Sequence, residues 1–81
     1  MMVFVREHCA FSKAVLNQID TLKIDVEKKF IEDPKVEREL MARGGRIQVP
    51  FLVDEENDVE LYDSDLILHY LDEHYGQATS R

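Results

Sequence analysis

The stretch MVFVREHCAFS, from Met2 to Ser12, gives the strongest indication of the fold. It begins with an unbroken apolar run, Met2–Val5, whose branched and aromatic side chains are typical of a buried strand in a partly parallel sheet. An apolar stripe then predicts a helix from about residue 10 to 22; its members are Phe11, Ala14, Val15, Ile19 and Leu22. Cys9, the single cysteine of the chain, therefore stands where a strand and a loop lead into a helix N-terminus.

The position of Cys9 has chemical consequences. The first N–H groups of a helix have no partners within the helix, and the helix dipole adds partial positive charge there. Both effects favour a thiolate, and cysteines so placed have pKa values lowered by about one to several units. Arg6 and Lys13 add positive charge nearby, which Glu7 partly opposes. A buried structural cysteine is the competing interpretation, and position alone leaves both interpretations open.

The middle of the chain predicts a second strand and a second helix. Ile24 and Val26 alternate with acidic residues, as in a strand. The pair Asp33-Pro34 is a favourable helix start, because Asp caps the free N–H groups and Pro suits the first turn. The predicted inner face of this helix consists of Val36, Leu40 and Met41, and Gly44-Gly45 ends it.

Two strands and a last helix complete the pattern. The run Pro50–Val53 and the alternating segment 59–62 flank a polar turn and predict a hairpin. Asp63–Asp65 caps a helix that ends at Gly76; its predicted inner face consists of Leu66, Ile67, Tyr70, Leu71 and His74. The order is that of an α/β fold, with a βαβ unit followed by a ββα unit. We expect one domain over residues 1–76 and a loose tail over residues 77–81.

Composition excludes several classes of function. The chain has 81 residues and a net charge of −7, and it has no basic cluster. This composition argues against binding to the phosphate backbone of a nucleic acid or to an anionic membrane surface. Its apolar runs are too short to span a bilayer, and its N-terminus lacks the features of a signal peptide. A single cysteine favours the reducing cytoplasm over secretion. His69 and His74 are five residues apart, a poor helical spacing for one metal ion, and we expect no metal site.

Two further segments have both ordinary and functional interpretations. Val49-Pro50 precedes the third predicted strand, where an ordinary trans proline is tolerated. Asp63-Ser64-Asp65 has the residue types of a simple helix cap. Its N–H groups also suit a carboxylate, while its acidic side chains suit an ammonium group, so an α-amino acid end of a ligand would fit there.

Taken in order, four segments resemble a known family. Cys9–Ser12 resembles the Cys-x-(Tyr/Phe)-(Cys/Ser) active site of glutaredoxins in its one-thiol form, and Arg6 matches a basic position three residues before the cysteine. The segment 45–50, GRIQVP, resembles the stretch that leads to a cis-proline, and Leu61–Leu71 resembles a transferase pattern with an acidic-Ser pair followed by Tyr-Leu. The chain thus resembles the glutaredoxin and glutathione S-transferase N-terminal-domain group of the thioredoxin superfamily.

The resemblance implies a thioredoxin-like, glutaredoxin-like βαβαββα fold, with a four-stranded mixed sheet flanked by three helices. It implies catalytic roles for Cys9 and Ser12. It also implies a glutathione site; its residues are Arg6, Phe11, Arg46, Val49, Pro50, Asp63 and Ser64. In such a site, Val49 would pair through its backbone with the cysteinyl part of glutathione, and Pro50 would be cis. Asp63 and Ser64 would hold the γ-glutamyl end. The two arginines would meet the glycyl carboxylate or help to stabilise the thiolate.

The leading functional hypothesis is a monothiol, glutathione-dependent thiol-disulfide oxidoreductase that removes glutathione from proteins or small disulfides through a mixed disulfide on Cys9. Ser12 replaces a second cysteine, so no internal disulfide can form. Leu61-Tyr62 replaces the Gly-Gly usual in glutaredoxins, a local feature that leans toward the transferases. One alternative is therefore a transferase-type domain that binds or activates glutathione. Others are a module that shares a [2Fe–2S] cluster with glutathione and a non-catalytic interaction domain. The expected assembly is a monomer or a weak homodimer.

Overall fold

A computed structural model describes residues 1–76 and contains the seven elements that the sequence predicts, in the predicted order. The strands are β1 (Met2–Val5), β2 (Glu27–Phe30), β3 (Phe51–Asp54) and β4 (Val59–Tyr62). The helices are α1 (Ala10–Leu22), α2 (Pro34–Gly44) and α3 (Ser64–Tyr75). The thioredoxin-like βαβαββα fold is thus confirmed, while the expected loose tail at 77–81 lies outside the described residues.

The four strands form one mixed sheet in the order β2-β1-β3-β4. β1 lies inside the sheet, parallel to β2 and antiparallel to β3, and β3 pairs antiparallel with β4 as a hairpin. Because β1 has neighbours on both sides and is covered on both faces, every residue from Val3 to Val5 is fully buried. This explains why its sequence is an unbroken apolar run rather than an alternation.

The helices divide the core into two parts, one on each face of the sheet. Val3, Val5 and Leu52 face α1 and α3, whose buried residues form the larger cluster. Phe4 and Phe51 face the other way and pack with Leu40 of α2 in the smaller cluster. Within residues 1–76, none of the helices has the length and apolar character that a membrane span needs.

The predicted position of the second strand is wrong. β2 begins at Glu27, after the residues Ile24 and Val26 whose alternation suggested the strand. Lys23 ends α1 in the left-handed conformation, and the following residues bring the chain into register with Met2 opposite Glu27. β2 is an edge strand with charged residues, so its hydrogen-bonded segment lacks the apolar alternation used to find it.

The predicted inner faces of the helices also need correction. In α1 the buried stripe is Ser12, Val15 and Ile19, whereas Phe11 and Ala14 are exposed. Met41 and Leu66 are exposed as well, next to the buried Leu40 and Ile67, and His74 is exposed. Neighbouring residues on a helix point about 100° apart, so a small rotation of the helix decides which apolar residue is buried.

The predicted ends of α2 are confirmed by its capping geometry. The Asp33 carboxylate accepts a hydrogen bond of 2.9 Å from the Lys35 amide, and Pro34 occupies the first turn. At the other end Gly45 has φ of 86°, the left-handed conformation that glycine adopts at little cost. This turn starts the loop that leads to Val49 and Pro50.

Candidate active site

Cys9 is the N-cap residue of α1. Its backbone is extended, with φ −118° and ψ 122°, and its carbonyl accepts the first helical hydrogen bond from Lys13 at 2.9 Å. The side chain is partly exposed, and the thiol is free. The structure therefore places a solvent-accessible thiol at the helix N-terminus that the sequence predicts.

The surroundings of Cys9 lower the pKa of its thiol. The largest cause is a hydrogen bond from the Ser12 backbone N–H, followed by one from the Ser12 hydroxyl. Partial burial opposes these effects, while the Phe11 N–H and the charge of Arg6 add to them. The amides are those of the first helical turn, which have no partners within the helix. The site thus favours the thiolate, the nucleophilic form of cysteine.

Ser12 lies beneath Cys9 and has no exposed surface. Its hydroxyl oxygen accepts a hydrogen bond of 3.2 Å from the Arg6 amide, which leaves the hydroxyl proton for the Cys9 sulfur. One buried hydroxyl therefore joins the loop after β1 to the first turn of α1.

A cavity of about 260 Å³ lies beside the first turn of α1. Three separate segments form its walls; the lining residues are Phe11, Gln48, Val49, Pro50, Asp63, Ser64 and Asp65. Five of these seven residues are among those that the family resemblance implied. Phe11 is 65% exposed and lies two residues beyond Cys9, so the helix turn that carries the thiol also forms part of the cavity.

The acidic side of the cavity is the N-terminus of α3. Asp63 is the N-cap, with φ of 81°, and one of its carboxylate oxygens accepts a 2.9 Å hydrogen bond from the Asp65 amide. Such a helix start offers N–H groups to an anion, while the Asp63 and Asp65 carboxylates offer negative charge to a cation. The cavity can therefore accept both ends of an α-amino acid group.

The opposite wall is the segment Gln48–Pro50 that leads into β3. The Val49–Pro50 peptide bond is cis, as the resemblance implied. Pro50 is buried, Val49 is partly buried, and Gln48 is exposed. All three residues line the cavity.

Two predicted ligand residues do not line the cavity. Arg6 is exposed on the loop after β1, where its backbone binds Ser12 and its charge acts on Cys9. Arg46 lies on the loop after α2, and its guanidinium carbon is 4.2 Å from the centroid of the Tyr62 ring. The structure therefore associates Arg6 with the thiol and Arg46 with Tyr62.

Sequence reasoning missed one lining residue and one polar cluster. Gln48 lines the cavity, and its position beside Val49 was the available signal; Asp65, which belongs to the acidic helix start singled out in the sequence, lines it as well. The cluster centres on Asp54, the last residue of β3, which is 2% exposed. An acidic residue directly after a buried apolar strand was a signal that was interpreted only as the start of a turn.

One oxygen of Asp54 accepts three hydrogen bonds. Tyr70 donates at 2.6 Å, Tyr75 at 2.5 Å and the Asn57 amide at 2.9 Å. Burial of the carboxyl favours its protonated form, but the hydrogen bonds outweigh burial and lower the pKa of Asp54 to about 2. They also raise the pKa of Tyr75. The cluster joins the β3–β4 turn to α3 and lies apart from the residues that line the cavity.

Comparisons with known proteins identify the family. The sequence matches the family described as glutathione S-transferase, N-terminal domain, over residues 3–79. The chain belongs to this family. As a glutathione S-transferase N-terminal domain, it has the four-stranded sheet and three helices described above. Among curated protein sequences, none matches it.

Solved structures show the same fold at low sequence identity. An unclassified glutathione S-transferase from Bombyx mori superimposes with a TM-score of 0.79 at 19% identity, over 94% of this chain and 36% of that one. A glutathione transferase from Phanerochaete chrysosporium, solved with oxidized glutathione, gives 0.78 at 18%, over 98% and 37%. An epsilon-class enzyme from the housefly, Musca domestica, gives 0.76 at 20%, over 94% and 35%. The transferase N-terminal domain described here thus spans little more than a third of these relatives.

Within residues 1–76, no group of three or more His, Cys, Asp or Glu side chains could hold a metal ion. A [2Fe–2S] cluster needs four ligands, commonly thiolates, whereas each chain supplies one cysteine. A shared cluster would therefore require a second chain and further thiols. No feature of the described residues favours that role over thiol chemistry.

Proposed function

We propose that this domain binds glutathione in the cavity between α1 and α3 and uses Cys9 for monothiol exchange with glutathionylated proteins or small disulfides. The observation that carries the proposal is the position of Cys9. Its thiol has a lowered pKa, and the same helix turn lines a cavity whose other walls are Val49-Pro50 and the N-terminus of α3. The proposed setting is the reducing cytoplasm, with the domain as a monomer or a weak homodimer.

The chemistry of the cavity suits the γ-glutamyl end of glutathione, which carries both an ammonium and a carboxylate group. The carboxylate would meet the N–H groups at the start of α3, and the ammonium would meet the Asp63 or Asp65 carboxylate. Val49 would pair through its backbone with the cysteinyl residue. A cavity of about 260 Å³ is small for a whole tripeptide, so part of the ligand would lie in the open cleft toward Cys9.

In the proposed reaction the Cys9 thiolate attacks the glutathione sulfur of a mixed disulfide. A new disulfide forms between Cys9 and glutathione, the substrate sulfur leaves as a thiolate, and the substrate takes up a proton. The thiolate of a second glutathione then attacks this disulfide. Oxidized glutathione leaves, and the Cys9 thiolate is restored. Ser12 stabilises the thiolate but has no sulfur to resolve the intermediate internally.

A coupled assay tests this proposal. The protein is supplied with a small glutathione mixed disulfide, glutathione, glutathione reductase and NADPH, and NADPH consumption is followed. We expect turnover that is lost in Cys9→Ser, and a raised KM for glutathione in Asp63→Asn. Asp25→Asn is the matched control, because Asp25 is exposed in the loop before β2. The absence of turnover in the wild type, or undiminished turnover in Cys9→Ser, would refute the reaction.

Binding is measured separately from turnover. Titration with a non-reactive S-alkyl glutathione reports binding to the cavity alone, because this ligand has no free thiol and forms no mixed disulfide with Cys9. Weaker binding in Asp63→Asn than in Asp25→Asn would support the cavity as the site. Binding that is equal in the two variants would place the ligand elsewhere, whatever the outcome of the turnover assay.

Membership of the transferase family favours a second candidate, in which the domain activates glutathione toward an electrophile. Here the groups at the N-terminus of α1 would stabilise the thiolate of glutathione. Conjugation of 1-chloro-2,4-dinitrobenzene, followed by absorbance, distinguishes the candidates. Conjugation that persists in Cys9→Ser, without disulfide exchange by the wild type, would favour this second function.

A further inference from the structure

Tyr62 connects the two walls of the cavity without lining it. It is the last residue of β4 and is bonded directly to Asp63, which begins the α3 wall. Its side chain contacts the loop that leads from α2 to the other wall, Gln48–Pro50. A residue in this position can set the distance between the walls.

The Tyr62 ring is held by the core of the protein. Tyr62 lies opposite Phe51 in the β3–β4 ladder, and their rings stack with centroids 4.2 Å apart and an angle of 29°. The Phe51 ring in turn lies 5.9 Å from the ring of Phe4 in the central strand. The ring thus has a fixed position relative to the sheet, since two buried aromatic rings support it.

The loop after α2 contacts Tyr62 in two ways, both through Arg46. The Tyr62 hydroxyl donates a 2.9 Å hydrogen bond to the Arg46 carbonyl. The Arg46 guanidinium lies over the same ring, with its carbon 4.2 Å from the centroid, in a cation–π arrangement. Gly44, the last residue of α2, leaves room for the hydroxyl, because a Cβ at this position would overlap it.

We propose that Tyr62 is a positioning residue that holds the loop 45–50 at the spacing needed for a ligand between Val49 and Asp63. This rests on the proposed function for the identity of the ligand, glutathione. Within the described residues, the side chains of Ile47 and Val49 also anchor this loop on the smaller core cluster, whereas the hydrogen bond to the Arg46 carbonyl comes from Tyr62. Loss of the Tyr62 hydroxyl therefore frees the backbone at Arg46, two residues before Gln48.

The main test is the variant Tyr62→Phe, which removes the hydroxyl but keeps the ring on Phe51. A neutral hydrogen bond corresponds to about a two- to tenfold change in an equilibrium. We therefore expect the amides of Ile47, Gln48 and Val49 to exchange with deuterium about two- to tenfold faster. We expect the Kd for an S-alkyl glutathione to rise by a similar factor.

Tyr75→Phe is the matched control, because it also removes a tyrosine hydroxyl but breaks a hydrogen bond to Asp54 rather than to the loop. It should leave both the exchange of the loop amides and the Kd unchanged, although it lowers overall stability. Gly44→Ala approaches the Tyr62 hydroxyl from α2 and should raise the Kd as Tyr62→Phe does. The pH dependence of Cys9 alkylation should be the same in all three variants.

The outcomes separate this inference from the proposed function. Loop exchange and Kd that are unchanged in Tyr62→Phe overturn the role of Tyr62, even where the wild type binds glutathione. An equal rise in Kd for Tyr75→Phe also overturns it, because a general loss of stability then explains both variants. If the wild type does not bind glutathione, the proposed function fails. The role of Tyr62 is then tested by amide exchange alone. Loop amides that exchange in Tyr62→Phe at the wild-type rate refute the proposal that Tyr62 positions the loop.

Discussion

The Asp54→Asn substitution tests how much a buried carboxylate contributes to the stability of this domain. The Asn side chain keeps the size of Asp but loses the charge to which Tyr70, Tyr75 and Asn57 donate. The hydrogen bonds lower the pKa of Asp54 from 3.8 to about 2 in the folded protein. Since one pKa unit corresponds to about 1.4 kcal/mol, the ionised form contributes about 2 kcal/mol to the free energy of unfolding at pH 7.

The sign of the pH dependence follows from the direction of this shift. The pKa is lower in the folded protein, so the contribution is complete above the unfolded value near 3.8 and is lost as the pH falls toward 2. The difference in stability between wild type and Asp54→Asn should therefore be about 2 kcal/mol at pH 7 and about 1 kcal/mol at pH 3. Urea denaturation, followed by circular dichroism, measures this difference in the free energy of unfolding. The slope m is compared between the variants.

Asp25→Asn serves as the control for the general effect of removing one negative charge from a chain of net charge −7. Because Asp25 is exposed, the substitution Asp25→Asn should change the free energy of unfolding by less than about 0.5 kcal/mol. The reasoning is refuted if Asp54→Asn is as stable as this control at pH 7. It is also refuted if the loss in Asp54→Asn is the same at pH 3 as at pH 7, because the carboxylate charge would then not be its cause.

Three other predictions concern the thiol, the cavity and a helix end. Ser12→Ala removes a donor to the sulfur and should raise the pKa of Cys9, which the pH profile of iodoacetamide alkylation measures; an unmoved profile would contradict the assigned hydrogen bond. Phe11→Ala should weaken glutathione binding in a titration and change stability by less than about 0.5 kcal/mol, since Phe11 is 65% exposed. The buried Phe51→Ala should instead cost about 3–5 kcal/mol in urea denaturation, and similar losses in both variants would be inconsistent with their burial. Asp33→Ala should cost about 1 kcal/mol through loss of the α2 cap, whereas Asp33→Asn should keep most of it; equal losses would argue against capping.

Local rules were sufficient for most of the elements. The apolar run Met2–Val5 predicted β1 with its observed bounds, and the apolar spacing after Cys9 predicted the observed extent of α1. Asp33, Pro34 and Gly45 predicted the ends of α2, because capping depends on residues within a few positions of each other. The same rules failed for β2, whose pairing depends on β1 and not on its own side chains.

The sequence predicted some residues of the candidate site but not others. The family resemblance named five of the residues that line the cavity, the acidic helix start had pointed to Asp65, and Gln48 was identified only from the structure. Arg46 was predicted to meet the glycyl carboxylate or to help stabilise the thiolate, and this role stays a prediction; in the structure its guanidinium lies over the Tyr62 ring. A long side chain of this kind takes its direction from neighbours that are distant in sequence, so its sequence position does not decide where its charge lies.

The order of strands and helices and the position of the single cysteine at a helix N-terminus follow from local patterns, because periodicity and capping act over a few residues. The rotation of each helix about its own axis depends instead on how the helix packs against the sheet. That rotation buries Ser12 beneath the thiol and exposes Phe11 at the cavity. The tertiary structure likewise brought Tyr70 and Tyr75 to Asp54 and Arg46 to Tyr62, since these contacts join segments whose approach depends on the packing of the whole sheet.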